Sequence, residues 1–131
     1  MNRAVTMGSV LLAGIAIGGI AVTSLNAQSK GPGAYAIIDI SQITDRDSFV
    51  KQLLPKAEPA ILSAGGKFIT RTEKVSALDG TPPQRFVIIG FDSADKAKAW
   101  NASAAWREVD AMRTKITSSR TFIVAAEGAS P

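Results

Sequence analysis

The stretch Arg85-Phe-Val-Ile-Ile-Gly-Phe91 constrains the fold of this chain more than any other, because it is apolar on both sides. Successive side chains of a strand point to opposite faces, so Phe86 and Ile88 go one way while Val87, Ile89 and Phe91 go the other. Both faces of such a strand need cover. The neighbouring sequence offers helices for one of them. Ala34 to Ile40 is a second β-branched run and reads as the first strand. Thr44 or Asp45 can cap a helix whose apolar positions, Phe49, Leu53, Ala57, Ile61 and Ala64, recur at about helical spacing. Pro55 and Pro59 lie inside it and predict a kink or two short helices, and Gly65-Gly66 supplies its end.

Lys67 to Ala77 reads as strand two, and Leu78 to Gln84 as the polar turn of a hairpin into Arg85–Phe91. Ser93 is placed to cap a helix over Ala94 to Asn101, and Ser103 one from Ala104 to about Ile116. Arg120 to Ala126 is the last strand. The order β-α-β-β-α-β is the ferredoxin-like pattern of the α+β class, an antiparallel sheet with helices on one face. A second copy packed sheet to sheet is the simplest cover for the other face, which predicts a homodimer; the alternative is a partly exposed apolar face.

At 131 residues the chain is long enough for one domain, and part of it reads as a targeting segment. Met1 to Ala27 carries one charge, Arg3, followed by the apolar run Val10 to Val22. That run, of 13 residues, suits a signal-peptide core of about 7 to 15 residues better than a membrane span of about 20. Thr23-Ser-Leu-Asn-Ala27 is a small and polar exit, with Ala27 as the last residue before cleavage. An uncleaved anchor is the competing reading, because Ala4 to Leu25 is free of charge. The expected organisation is a signal segment at 1–27, a flexible lead at 28–33, the domain at 34–128 and a tail at 129–131. The expected location is periplasmic or secreted, or the inner membrane if the segment stays, with membrane contact only through that segment.

Composition excludes more chemistry than it suggests. Cysteine and histidine are both absent. Disulfides, thiolate nucleophiles, Cys/His zinc sites, serine–histidine triads and thiolate-held clusters are therefore unavailable. No phosphate loop, glycosidase-like carboxylate pair or calcium loop is present, and no cofactor or metal is expected. The net charge of +4 falls to +3 without Arg3, and the basic residues are interspersed with acids, which argues against a nucleic-acid partner.

Gly65-Gly-Lys-Phe-Ile-Thr-Arg71, Arg85 to Ser93, Ala97, Trp100, Arg113 and Glu127-Gly128 form an ordered set, and the similarity it belongs to covers about Ala34 to Gly128. In this set the chain resembles domain of unknown function family 1330. The resemblance implies a dimeric α+β barrel, an architecture shared with cofactor-independent monooxygenases of antibiotic biosynthesis and with small-molecule-binding proteins. It implies no reaction, since one fold hosts many functions. Against the family pattern, Thr72-Glu73 replaces a common glycine pair, Gly90 an acid and Trp106 a tyrosine, at positions expected to line a pocket.

Arg71, mid-strand with Ile69 and Val75 on its own face, needs a partner or a ligand, and Arg113 is its natural companion. Two guanidiniums in one cavity would hold a carboxylate or phosphate by paired hydrogen bonds. The plainer alternative pairs Arg71 with Glu73 or Asp39. Trp100, at helical spacing from Ala97, either packs on the sheet or walls a pocket; Trp106 is expected at a rim or interface. Tyr35 can donate a hydrogen bond to a ligand or serve as an edge aromatic. Asp39, an acid in an apolar strand, can act as a general base or as partner to Arg71 or Arg113. The leading expectation is an exported dimer that binds a small anionic molecule between sheet and helices. A cofactor-free monooxygenase-like enzyme and an envelope interaction module without turnover are the alternatives.

Overall fold

The computed structural model describes residues 31–128. The expected signal segment at 1–27, half of the expected lead (28–30) and the expected tail at 129–131 lie outside them. The chain runs β1 (Ala34–Ile43), α1, β2 (Lys67–Thr72), β3 (Arg85–Phe91), α2 (Ala94–Ala102), α3 (Ala104–Ile116) and β4 (Thr117–Ala125). Helix α1 is continuous through Arg46–Ser48, a π-helical turn over Phe49–Leu53 and Leu54–Ser63. All neighbouring strands pair antiparallel, in the order β2-β3-β1-β4, so the fold is ferredoxin-like.

The helix starts follow from local hydrogen bonding. Asp45 accepts from the Ser48 amide at 3.1 Å, Ser93 from the Lys96 amide at 3.1 Å and Ser103 from the Trp106 amide at 3.3 Å, each satisfying an amide that the first turn leaves without a partner. The Ser48 amide, then the Ser48 hydroxyl, hold the Asp45 carboxyl below its usual range. Gly65, with φ of 90°, ends α1 in the left-handed region. At Gly66 a Cβ would come within 2.8 Å of Ile61 and 2.9 Å of Ile89, so this glycine lets the helix end lie against β3.

The two prolines do not divide α1. Pro55 lies just after the wider π turn, whose residue Lys51 holds the carbonyl that a proline ring at position 55 would otherwise strike in an α-helix. Strand β2 stops at Thr72, five residues short of the expected Ala77, because the Thr72 side chain accepts from the Lys74 amide at 2.9 Å and turns the chain out of the sheet. β4 begins at Thr117 rather than Arg120, since β1 continues past an irregularity at Ile40/Gln42 and pairs Ile43 with Thr117.

Ala36, Ile38 and Ile40 of β1 and Val87, Ile89 and Phe91 of β3 face the helices and are buried against Phe49, Leu53 and Ile61 of α1 and Trp100, Trp106 and Val109. Each large side chain there contributes on the order of 1.5–3 kcal/mol by leaving water. The opposite face carries Tyr35, Ile37, Phe86 and Ile88, half-buried, and Ile69, Phe122 and Val124, exposed.

Candidate functional site

Between the sheet and helices α1 and α3 lies a cavity of about 300 Å³. Its charged lining side chains are Glu58, Arg71, Arg85 and Arg113; the others are apolar or aromatic, among them Phe49, Leu53, Trp106 and Val109. Strand parity and helix periodicity bring the charges together. Arg85 shares its face of β3 with Val87, Ile89 and Phe91, and Arg71 lies opposite Val87 in the β2–β3 ladder. Arg113 follows Trp106 and Val109 along one stripe of α3, and all three are buried.

The three guanidiniums are compensated unequally. Arg113 is tied to Asp110 through Nε at 2.9 Å and through a second contact from Nη2, and donates to the Ser119 hydroxyl. Arg71, 42% exposed, reaches Glu58 at 3.5 Å and stacks over Phe68 at 4.1 Å from the ring centre. Arg85 is only 15% exposed, and its one ion pair among the described residues is with Glu73 at 3.8 Å. Glu73 is already engaged by both terminal nitrogens of Arg46, at 3.1 and 3.0 Å. Among the described residues the Arg85 side chain makes no hydrogen bond. Burial pushes the Arg85 guanidinium below its ordinary value; Glu73 opposes this, and the nearby charges of Arg71 and Arg46 add to it. The Arg46 hydrogen bonds hold the Glu73 carboxyl below the usual glutamate range.

Arg46, Arg71, Arg85, Arg107 and Arg113 thus face Glu58, Glu73 and Asp110, an excess of two positive charges. A planar cation with unfilled donors, behind apolar walls, is suited to gripping one anionic group.

Of the residues singled out in the sequence, Arg71, Arg113 and Trp106 line this cavity and Trp100, Asp39 and Tyr35 do not. Trp106 is not at a rim: it is 2% exposed, with its ring 4.5 Å from that of Trp100, because the Ser103 cap sets it on the same stripe as Val109. Trp100 is core, 5.4 Å from the Phe91 ring, and its indole N–H has no hydrogen-bond partner among the described residues. Asp39 and Tyr35 point to the other side of the sheet, where Asp39 pairs with Arg120 at 3.1 Å across the β1–β4 ladder; neither Arg71 nor Arg113 is its partner. Arg71 pairs with Glu58 and not with Glu73 or Asp39. Ile69 does not share its face, because a bulge between Phe68 and Thr70 turns Ile69 toward Gly90 on the open side, and Val75 lies beyond the strand. Gly90 likewise faces Pro32 and Ile69, away from the cavity.

Arg85 is the functional candidate that sequence reasoning missed. Its parity with Val87 and Ile89 was available as a signal, since it puts a charge on the helix-covered face.

The fold recurs in solved structures. A protein of unknown function from Rhodopseudomonas palustris matches with a TM-score of 0.59 at 13% identity, over 85% of this chain and 94% of that one. A dimeric ferredoxin-like protein of unknown function from Thermobifida fusca matches with a TM-score of 0.54 at 16% identity, over 74% and 93%. At such identities the likeness speaks to the fold alone. No curated protein matches in sequence. The family model for the domain of unknown function DUF1330 covers residues 33–127, which takes in the whole sheet and its helices. The chain belongs to the DUF1330 family.

Proposed function

We propose that this protein is an exported homodimer that binds a small anionic molecule in the cavity between its sheet and helices. One observation carries the binding reading: Arg71, Arg85 and Arg113, from three different elements, line a single cavity whose other walls are almost wholly apolar. Burying a cation in such surroundings costs free energy, and an anionic ligand recovers part of that cost by supplying the missing hydrogen bonds. The volume lies at the small end of the range of about 300–1,000 Å³ typical of small-molecule sites. Arg85 is the anchor, Arg71 the outer clamp, and Arg113 shapes the wall while its charge stays with Asp110.

Dimerisation is supported by the apolar open face of the sheet, where Tyr35, Ile37, Ile88, Phe122 and Val124 lie on neighbouring strands. The Thermobifida protein of like fold is described as dimeric. Export is supported by the Arg3-led apolar segment ending at Ala27.

Thermal melting of the purified protein in a panel of small carboxylates and phosphates tests the binding reading. A ligand at about a hundred times its Kd adds about 2.7 kcal/mol, a rise on the order of 10 °C for a domain of this size. The shift should vanish in Arg85→Ala. If no anion moves the wild-type melting point, the binding reading fails. Mass spectrometry of the protein recovered from fractionated cells tests export, with loss of residues 1–27 as the expected result.

A further inference from the structure

We infer that the ligand is an amphipathic monocarboxylate: one carboxylate held by the Arg85 fork, on an aliphatic or aromatic body without hydroxyl groups. This rests on the anion-binding reading and narrows it to a chemical class. The lining composition is what excludes the alternatives. Among the described residues no side chain with a hydroxyl or amide lines the cavity, so its polar side chains are Glu58, the three arginines and Trp106. The sheet backbone on its floor is engaged in the β1–β3 and β2–β3 ladders. A sugar, nucleoside or polyhydroxy acid would bury hydroxyl groups without partners, each costing on the order of 1–3 kcal/mol.

The existing ion pairs argue against highly charged ligands. The positive excess around the cavity is two, but Arg107 lies outside the lining and shares Asp110 with Arg113, which is tied to Ser119 as well. That leaves Arg85, with no hydrogen bond, and Arg71, whose 3.5 Å contact to Glu58 is loose and solvent-accessible. A planar carboxylate fits the planar guanidinium with two parallel hydrogen bonds. A phosphate dianion would instead bring a second charge toward the carboxylates of Glu58 and Glu73. Phe49, Leu53, Val109 and Trp106 then receive the apolar body.

The two tryptophans provide the readout, since Trp106 lines the cavity and its ring lies 4.5 Å from that of Trp100. Tryptophan fluorescence of the full protein is titrated with acetate, hexanoate, phenylacetate, gluconate and inorganic phosphate. At about fourfold per buried methylene, hexanoate, with four methylenes more, is expected to bind up to about two hundredfold tighter than acetate. Phenylacetate should behave like hexanoate, and gluconate and phosphate no better than acetate. Arg85→Lys retains the charge and loses the fork, and is expected to weaken hexanoate at least tenfold while circular dichroism shows an unchanged fold. Tight binding of phosphate or gluconate with weak binding of hexanoate would overturn the monocarboxylate class and leave the anion site standing. Failure of all five probes overturns the anion site itself. Equal affinity of acetate and hexanoate, or full binding by Arg85→Lys, also overturns the inference.

Discussion

The two faces of the sheet are built from the same strands by the same alternation, yet they treat charge and apolar surface in opposite ways. On the helix side Ile38 and Ile40 of β1 and Val87, Ile89 and Phe91 of β3 are buried, and the charges that enter are three guanidiniums and Glu58 among apolar walls. On the open side Phe122 and Val124 stay 42% and 43% exposed, while the charges, Asp39 and Arg120, form a solvent-facing pair at 3.1 Å. Such an exposed pair is worth little, about 0–1 kcal/mol. A cation under the helices is in a position to recruit a ligand. An apolar strip on the open side is in a position to recruit a second sheet.

The comparison is broken most severely by removing aromatic mass from the covered side. Trp100 is 1% exposed, between Phe91 and Trp106, so Trp100→Ala is expected to cost about 3–5 kcal/mol in urea denaturation. A loss below about 1 kcal/mol would mean that this side is not the core. On the open side the equivalent test is Phe122→Asp. If a second copy covers that face, light scattering will give a dimer for wild type and a monomer for the variant at the same micromolar concentration. In a protein that is a monomer to begin with, the same change at a residue 42% exposed should stay within about 0.5 kcal/mol of wild type, and the sheet-to-sheet reading would be lost.

The sequence made the order of elements legible because each boundary carries its own chemistry: Asp45, Ser93 and Ser103 cap, and Gly65 ends a helix. Parity along β3 likewise separated Val87, Ile89 and Phe91 from Phe86 and Ile88. What stayed hidden depends on a partner strand or on a neighbouring turn. The bulge between Phe68 and Thr70 exists only in the pairing with β3, and it moves Ile69 to the face opposite Arg71. Proline positions alone did not show that a π-helical turn before Pro55 would keep α1 continuous. For the site, the convergence of Arg71 and Arg113 was readable as a pair of unpartnered cations. The acids were legible only in part: Asp110 stands three residues before Arg113 on α3, a spacing that marks a helical pair, whereas Glu58 comes from α1 and sequence proximity favoured Glu73 for Arg71.

The smallest effect concerns Glu73, the carboxylate that Arg85 shares with Arg46 at the edge of the covered side. Its pKa is lowered in the folded protein, chiefly by the Arg46 hydrogen bonds, from an ordinary 4.5. A depressed carboxylate stabilises the fold above the unfolded value and loses that contribution as the pH falls through the folded one. Wild type should therefore lose stability below about pH 4.5 by a step that Glu73→Gln lacks. Glu73 is 40% exposed, so solvent and salt keep the step within about 1 kcal/mol, and 1 M salt should shrink it further. The same variant sharpens the functional contrast. Glu73 is the only carboxylate within 4 Å of Arg85 among the described residues, and it would compete with a bound anion. At pH 7, Glu73→Gln should then bind hexanoate a few-fold more tightly than wild type while Asp39→Asn, on the open side, leaves that affinity unchanged. Equal effects from the two substitutions would mean that the anion is not held by Arg85.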